Sequence, residues 1–167
     1  MKRVWKFLYW IFSVALIVGV GFLIPFYLSK PLNIISKFFG IALFIYAIAL
    51  ASLAGRTLKL YAHKENEIKR FWPNKFTDIG IYKCMRHPMH LALAVLPLSI
   101  ALIWGNITAI ITSGWSVSLA LLFILFIEEP ETIKKFKNYC DYMQRVPAFS
   151  LNIKCIQEAF KVLKIDK

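Results

Sequence analysis

The chain has 167 residues, of which 59% are hydrophobic and 18% charged, and its net charge is +12. Soluble domains are usually about 45–50% apolar, so this composition excludes an ordinary soluble protein. Basic and aromatic residues do not alternate, so the charge predicts attraction to anionic lipid headgroups rather than nucleic-acid binding. Nothing in the sequence indicates an obligate protein partner.

Apolar stretches predict helices that cross a membrane, since a span needs about 20 mostly apolar residues. The first stretch is longer than the apolar region of a signal peptide, so we expect a retained helix. No internal repeat divides residues 1–167, which predicts one integral membrane domain. The expected fold is an all-α, polytopic membrane helical bundle with about four transmembrane helices. The spans are about 4–28, 38–58, 89–104 and 107–127, followed by a cytoplasmic C-terminal region, 128–167.

Positive charge predicts the orientation of these spans. Of the 21 lysines and arginines, all but Lys30 and Lys37 lie at the start of the first span, between the second and third spans, or after the fourth. Two of these 19 lie just inside the ends of spans, Lys6 in the first and Arg56 in the second. Cytoplasmic segments carry the excess of Lys and Arg, so a multi-pass protein with cytoplasmic N- and C-termini is expected. Cysteines on that side are normally reduced, so we expect Cys84, Cys140 and Cys155 to be free thiols.

Two segments after the spans have apolar residues at helical spacing opposite charged residues. Residues 132–146 and 151–165 are therefore predicted to be amphipathic helices. Such helices either lie in the membrane interface or pack on the cytoplasmic end of the bundle, and the pattern allows both. Residues 56–77 are polar and are predicted to extend the second helix and then form a loop.

A first motif precedes the third span and reads Gly80-Ile-Tyr-Lys-Cys-Met-Arg-His-Pro-Met-His90. Proline suits the first turn of a helix, so a helix is predicted to begin at Pro88. Arg86 and His87 then lie at its positive end, where they and free backbone N–H groups suit an anionic ligand group. The alternative is that Arg86 anchors the helix at the membrane interface and His87 caps the loop.

A second motif follows the fourth span, where Glu128 and Glu129 are expected to end that helix beside Pro130. Charged groups kept next to hydrocarbon usually mark a functional site. Carboxylates suit an ammonium group or ribose hydroxyls, although ion pairs with cytoplasmic cations are the alternative. S-adenosylmethionine offers a carboxylate, an ammonium group and a ribose diol together. Its adenine could lie against Tyr82, Phe76 or the apolar hairpin that the third and fourth spans form.

Together the motifs resemble the isoprenylcysteine carboxyl methyltransferase and phospholipid methyltransferase family, through Arg86-His87-Pro88, Glu128-Glu129 and Tyr139-x-x-Tyr142. The resemblance implies a membrane methyltransferase that uses S-adenosylmethionine, with in-line methyl transfer, no metal and no covalent intermediate. No single catalytic residue is implied; Arg86 and Glu128 support the reaction, and Glu128 aligns with the family's glutamate. The implied cofactor-binding residues are Phe76, Thr77, Tyr82, Arg86, His87, Pro88, Met89, His90, Glu128 and Glu129.

Several positions depart from the family's pattern, three of which bear on the site. His90 stands where tyrosine is usual, and Ala92 where glycine is common. Ile124 occupies the position, one helical turn before Glu128, at which members acting on prenylcysteine carboxylates have an arginine. The resemblance therefore favours an amine or thiol nucleophile on a lipidic or small amphiphilic substrate, with membrane lipids as partners.

Other readings of the motifs remain open at this point. His87, His90 and Glu128 could hold zinc with one open position. Membrane sterol reductases, which use NADPH, resemble this chain in fold and in the C-terminal motifs. However, this sequence contains no glycine-rich loop of the kind that binds dinucleotides. A non-catalytic membrane protein that binds lipid or a partner through a decayed site is a third possibility.

Overall fold

The computed structural model describes residues 4–63 and 74–165, and the side chains of residues 8–63 and 74–161. Over these residues the chain is helical and contains no named strand, which confirms the all-α prediction. A 3₁₀ turn, Gly80–Lys83, precedes the third α-helix, and a π turn, Ile124–Glu128, follows the fourth. The α-helices are α1 (Val4–Leu23), α2 (Lys30–Tyr61), α3 (Pro88–Trp104), α4 (Ile107–Phe123), α5 (Glu129–Lys135), α6 (Tyr139–Arg145) and α7 (Ile153–Ile165).

Two helical stretches within the described residues are long and apolar enough to cross a membrane. They are α2 and the continuous stretch Ile107–Lys135, which joins α4, the π turn and α5. Helix α3 has 17 residues and is shorter than this criterion requires. The prediction that Glu128 and Glu129 end the fourth helix is wrong, because the π turn carries the helix through them. Pro130 does not break it, since proline fits the first turn of α5.

The amphipathic segments after the spans match the prediction only in part. Residues 132–146 are two short helices rather than one, because the chain leaves helical geometry between α5 and α6. Phe136 has extended backbone angles, φ −126° and ψ 111°, and its ring lies 5.9 Å from that of Phe76. Helix α7 agrees with the prediction for 151–165. Residues 64–73 of the predicted central loop lie outside the described residues.

The chain divides into two compact units, residues 1–47 with 93–123 and residues 48–92 with 124–167. In the first unit, α1 packs against α4. Ile17, Ala101 and Ala109 are buried together with Trp104 against them. A Cβ atom on Gly21 would lie 2.7 Å from the Trp104 ring, so glycine permits this close approach.

Asn106 holds the turn between α3 and α4 in the first unit. Its Nδ2 donates to the Gly21 carbonyl at 2.8 Å, and its Oδ1 accepts from the Ala109 N–H at 3.0 Å. The second bond is an N-terminal cap, which satisfies a donor that the first turn of α4 leaves open. The preceding residue, Gly105, has a φ of +73°, which glycine adopts without strain.

In the second unit, the 3₁₀ turn lies on the C-terminal part of α2. Gly80 has a φ of +58°, and a Cβ atom there would lie 3.0 Å from Oγ1 of the fully buried Thr57. Glycine therefore fits both the backbone conformation and the space. Beyond α2, the Ala62 carbonyl accepts the N–H groups of Asn74 and Lys75. These contacts place Phe76 and Tyr82 within the second unit, where both motifs lie.

Candidate functional site

An ion pair between Arg86 and Glu129 lies at the centre of the second unit. Glu129 Oε1 accepts from Arg86 Nη2 at 2.6 Å and from Nε at 3.0 Å. The side chains are 10% and 6% exposed, so water screens the pair little. A buried charge is costly unless it is paired and hydrogen-bonded, and this pair meets both conditions.

Arg86 also contacts the backbone that ends α6. Its Nη1 donates to the carbonyls of Met143 and Val146, at 3.0 and 2.7 Å. Its own N–H donates to the Pro147 carbonyl at 3.0 Å. The backbone N–H of the next residue, His87, donates to the Ala148 carbonyl at 3.1 Å. The Arg86 guanidinium and the backbone N–H groups of Arg86 and His87, which the sequence suggested for an anionic ligand, are therefore engaged within the protein.

His87 is the third member of this cluster. Its Nε2 lies 3.0 Å from Glu129 Oε1 and 3.5 Å from the Tyr139 hydroxyl, and the residue is 7% exposed. Burial lowers the pKa of His87 to about 4, although the hydrogen bond to Glu129 acts in the opposite direction. The imidazole is therefore neutral at pH 7, and the tautomer that carries its proton on Nε2 donates to the carboxylate.

Aromatic side chains surround the Phe76 ring beside this cluster. The rings of Tyr142, Phe136 and Tyr139 lie 5.2, 5.9 and 6.3 Å from it, centre to centre. Burial, then the charge of Glu129, raises the pKa of Tyr139 to about 12. Burial also raises the pKa of Tyr142, whose hydroxyl donates to the Tyr82 carbonyl. These phenols stay protonated, and each combines a polar hydroxyl with apolar ring faces.

A second histidine–glutamate pair lies closer to solvent. His90 Nε2 is 3.8 Å from Glu128 Oε1, and the two side chains are 23% and 22% exposed. The rings of His90 and His87 are 5.7 Å apart, so the two pairs are neighbours. Adjacent glutamates thus differ in surroundings: Glu129 is buried with Arg86, whereas Glu128 remains accessible.

Three other residues expected at the site, Pro88, Met89 and Thr77, make contacts apart from these two pairs. Pro88 is buried and begins α3, as predicted. Met89 points toward α2, where a Cβ atom on Gly55 would lie 3.9 Å from its Cε. Thr77 makes a local contact, in which its hydroxyl accepts from the Ile79 N–H at 3.4 Å. The structure thus joins Arg86 and His87 with Glu129, and His90 with Glu128.

Comparison with known proteins decides the family. Residues 35–139 match the family model for phospholipid methyltransferases. The chain belongs to the phospholipid methyltransferase family. Its membership and its long apolar helices make it a membrane methyltransferase, and the family resemblance seen in the two motifs is confirmed. Searches of curated proteins and of solved structures found no match.

Several contacts of this methyltransferase family member were not predicted from the sequence. Tyr139 and Tyr142 had a detectable signal, because residues three apart share one face of a helix. The carbonyl groups that receive Arg86 had none, since every residue carries a carbonyl and only the fold selects among them. These carbonyls belong to Met143 and Val146 for the side chain, and to Pro147 for the backbone N–H.

The expectation of three free thiols is wrong. Cys84 and Cys155 form a disulfide across 71 residues of sequence, and Cys140 is the free, exposed cysteine of the described region. Helix α7 packs on the 3₁₀ turn, which brings Cys155 to Cys84. Sequence could not reveal this, because the packing partner of α7 is set by the fold. Among the described residues, no group of three or more His, Cys, Asp or Glu side chains is placed to hold a metal ion.

We predict that the stability of the protein depends on the charge of His87. Its pKa is about 4 when folded and near 6.5 in an unfolded chain, so between these values only the unfolded state binds a proton. Stability should be complete above about pH 6.5 and fall as pH decreases toward 4. At pH 5 the loss should be about 2 kcal/mol.

Denaturant unfolding in detergent at pH 7.5 and pH 5.0 measures this loss. His87→Gln retains a donor toward Glu129 but does not titrate, so its stability should change less between the two pH values. His63→Gln removes a histidine outside the cluster and should keep the native pH dependence. An equal pH dependence in His87→Gln and the native protein would contradict the assignment.

Proposed function

We propose that this protein transfers a methyl group from S-adenosylmethionine to a lipidic or small amphiphilic acceptor at the membrane. The family match over residues 35–139 is the observation that carries the proposal. It is supported by the site, where an accessible carboxylate, a histidine and aromatic faces lie beside a rigid ion pair. Neither an NADPH-dependent reductase nor a non-catalytic homologue is favoured by a specific contact.

The donor set fits the chemical groups of the cofactor. Glu128 is accessible and can accept from an ammonium group or ribose hydroxyls, which are the donors that a carboxylate prefers. Phe76 and Tyr82 offer aromatic surface for adenine. Met89 and His90 lie in the first turn of α3, whose backbone N–H groups suit the carboxylate. When bound, the cofactor supplies an electrophilic methyl group on a sulfonium.

In this proposal the residues of the buried cluster, Arg86, His87 and Glu129, hold the substrate-binding residues in place. Arg86 holds Glu129 and the end of α6 together, so the neighbouring Glu128 and His90 keep fixed places. Methyl transfer needs the nucleophile, the methyl carbon and the leaving sulfur in line. Holding reactants in such geometry, and excluding water, are effects worth several kcal/mol of the activation barrier. The acceptor itself attacks the methyl carbon, so no residue of the protein has to act as a nucleophile.

The surroundings of Ile124 indicate which chemical class of methyl acceptor the site suits. Ile124 is 1% exposed and apolar, so it offers no charge to a substrate. Arg86 already binds Glu129 and two carbonyls. A substrate carboxylate beside Glu128 would therefore be an uncompensated anion, at a cost of several kcal/mol. An amine or thiol acceptor avoids this cost, and Glu128 stabilises the cation that forms when an amine is methylated.

For the membrane arrangement we propose four spans, with both termini and both motifs on the cytoplasmic side, as the distribution of Lys and Arg indicates. The Cys84–Cys155 disulfide departs from the reduced cysteines usual on that side. The spans are α1, α2, α3 and the apolar part of the stretch Ile107–Lys135, which ends before Glu128. Large apolar side chains on the surface suit contact with hydrocarbon, where they would be costly in water. They include Phe12, Phe22, Phe38, Phe39, Ile45, Ile111, Trp115 and Phe126.

Radiolabelled methyl transfer tests the proposed function. The purified protein is supplied with S-adenosylmethionine and, separately, an ethanolamine lipid, an amphiphilic thiol and farnesyl-cysteine. We expect label in the amine or thiol product and at most weak esterification of farnesyl-cysteine, because the carboxylate lacks a cation. Efficient esterification would assign the protein to the carboxyl methyltransferases, and no transfer to any acceptor would contradict the proposed activity.

Glu128→Gln should weaken binding of S-adenosylhomocysteine by about 10- to 100-fold, the usual effect of losing a charge-assisted hydrogen bond. Titration calorimetry in detergent measures the affinity. Glu131, exposed on α5, gives the matched control, and Glu131→Gln should bind like the native protein. Glu129→Gln should mainly lower stability, since it breaks the buried pair with Arg86. Native affinity in a folded Glu128→Gln protein would remove Glu128 from the cofactor site.

Cys140 allows a test of the orientation without an added reporter. It is free and exposed, whereas Cys84 and Cys155 are bonded to each other. A membrane-impermeant maleimide should label Cys140 in inside-out vesicles and not in right-side-out vesicles. Cys140→Ser should abolish the labelling. Labelling confined to right-side-out vesicles would reverse the proposed orientation.

A further inference from the structure

The two histidines of the first motif have opposite surroundings. His87 is 7% exposed and bonded to the buried Glu129. His90 is 23% exposed and faces Glu128 at 3.8 Å, so a substrate can reach it. A histidine with a carboxylate on one ring nitrogen can accept a proton on the other, because the carboxylate stabilises the imidazolium that forms.

An amine acceptor creates a need for such a group. A primary alkylamine has a pKa of about 10, so at neutral pH it arrives as an ammonium ion. An ammonium ion has no lone pair and cannot attack a methyl group. Its proton must be removed first, and histidine is the side chain that titrates near neutral pH.

We propose that His90 is the proton acceptor for an amine substrate, and that Glu128 stabilises its protonated form. This inference rests on the proposed methyltransferase function. In the first step the ammonium N–H bond breaks, the electron pair stays on nitrogen, and the proton passes to the His90 imidazole. In the second step nitrogen attacks the methyl carbon, and the carbon–sulfur bond breaks with its electron pair on sulfur. The products are a methylammonium and a thioether, and His90 then returns its proton to water.

The other ionisable groups around His90 are less suited to this role. Within residues 8–63 and 74–161, Glu128 from the π turn and Glu129 from α5 are the carboxylates that the two histidines contact, and Glu129 is held by Arg86. Arg86 stays charged at every relevant pH and cannot accept a proton. His87, whose pKa burial lowers to about 4, is neutral but is occupied by Glu129 in the protein interior. His90 combines a titratable ring, a carboxylate partner and access from solvent.

The experiment measures kcat for methylation of an ethanolamine lipid between pH 6.5 and pH 10. His90→Gln keeps hydrogen bonding but does not titrate near neutral pH. Its kcat at pH 7 should be about 10²- to 10⁴-fold below the native value, the usual contribution of a positioned base. The deficit should shrink as pH rises and be nearly absent at pH 10, because the amine then loses its proton to water. His63→Gln is the matched histidine control and should follow the native profile.

Binding of S-adenosylhomocysteine separates this role from cofactor binding. His90→Gln should bind it within about threefold of the native protein. A deficit in kcat that is the same at every pH would overturn the proposal and leave His90 a positioning residue. If His90→Gln fails to fold, His90→Asn takes its place, with the same expected profile. If the native protein binds S-adenosylhomocysteine but methylates no amine, both the amine class and the role of His90 are overturned; if it also fails to bind, the methyltransferase function itself is overturned.

Discussion

The packing of the second unit depends on one buried carboxylate, that of Glu129. Glu129 accepts from Arg86 and from His87, and Arg86 in turn holds the carbonyls of Met143 and Val146. The cluster thereby joins the segment before α3 to α5 and to the end of α6. Removing one partner of such a pair usually costs about 3–5 kcal/mol, because the other charge stays buried. The motif residues that would meet a substrate rely on this framework for their positions.

A π turn lies where the two adjacent glutamates meet different surroundings. The π turn closes with Glu128, and α5 begins with Glu129, so the helix changes its winding between α4 and α5. Such turns are frequent at functional sites, since they redirect side chains within a continuous helix. Glu129 faces the interior and Arg86, whereas Glu128 faces His90 near solvent. One carboxylate fixes the framework, and its neighbour lies closer to solvent beside His90.

Sequence predicted the parts that local chemistry controls. The helix beginning at Pro88 followed from residue properties, and the pairing of the two motifs followed from their resemblance to a family. Sequence did not predict the continuation of the helix through Glu128, because a π turn depends on tertiary packing. It also missed the disulfide of Cys84, because the packing partner of α7 cannot be read from periodicity. Arg86 was expected to bind ligand, but the fold supplies its partners.

The C-terminal region belongs to the site although it lies beyond the matched family region. The match ends at residue 139, whereas the carbonyls that accept from Arg86 and from the backbone of His87 lie between Met143 and Ala148. Cys155 of α7 is bonded to Cys84, two residues before Arg86. The C-terminal region of the chain therefore holds the first motif through one disulfide and one set of hydrogen bonds. The family match stops at residue 139 and identifies a methyltransferase, but residues after it hold the first motif in place.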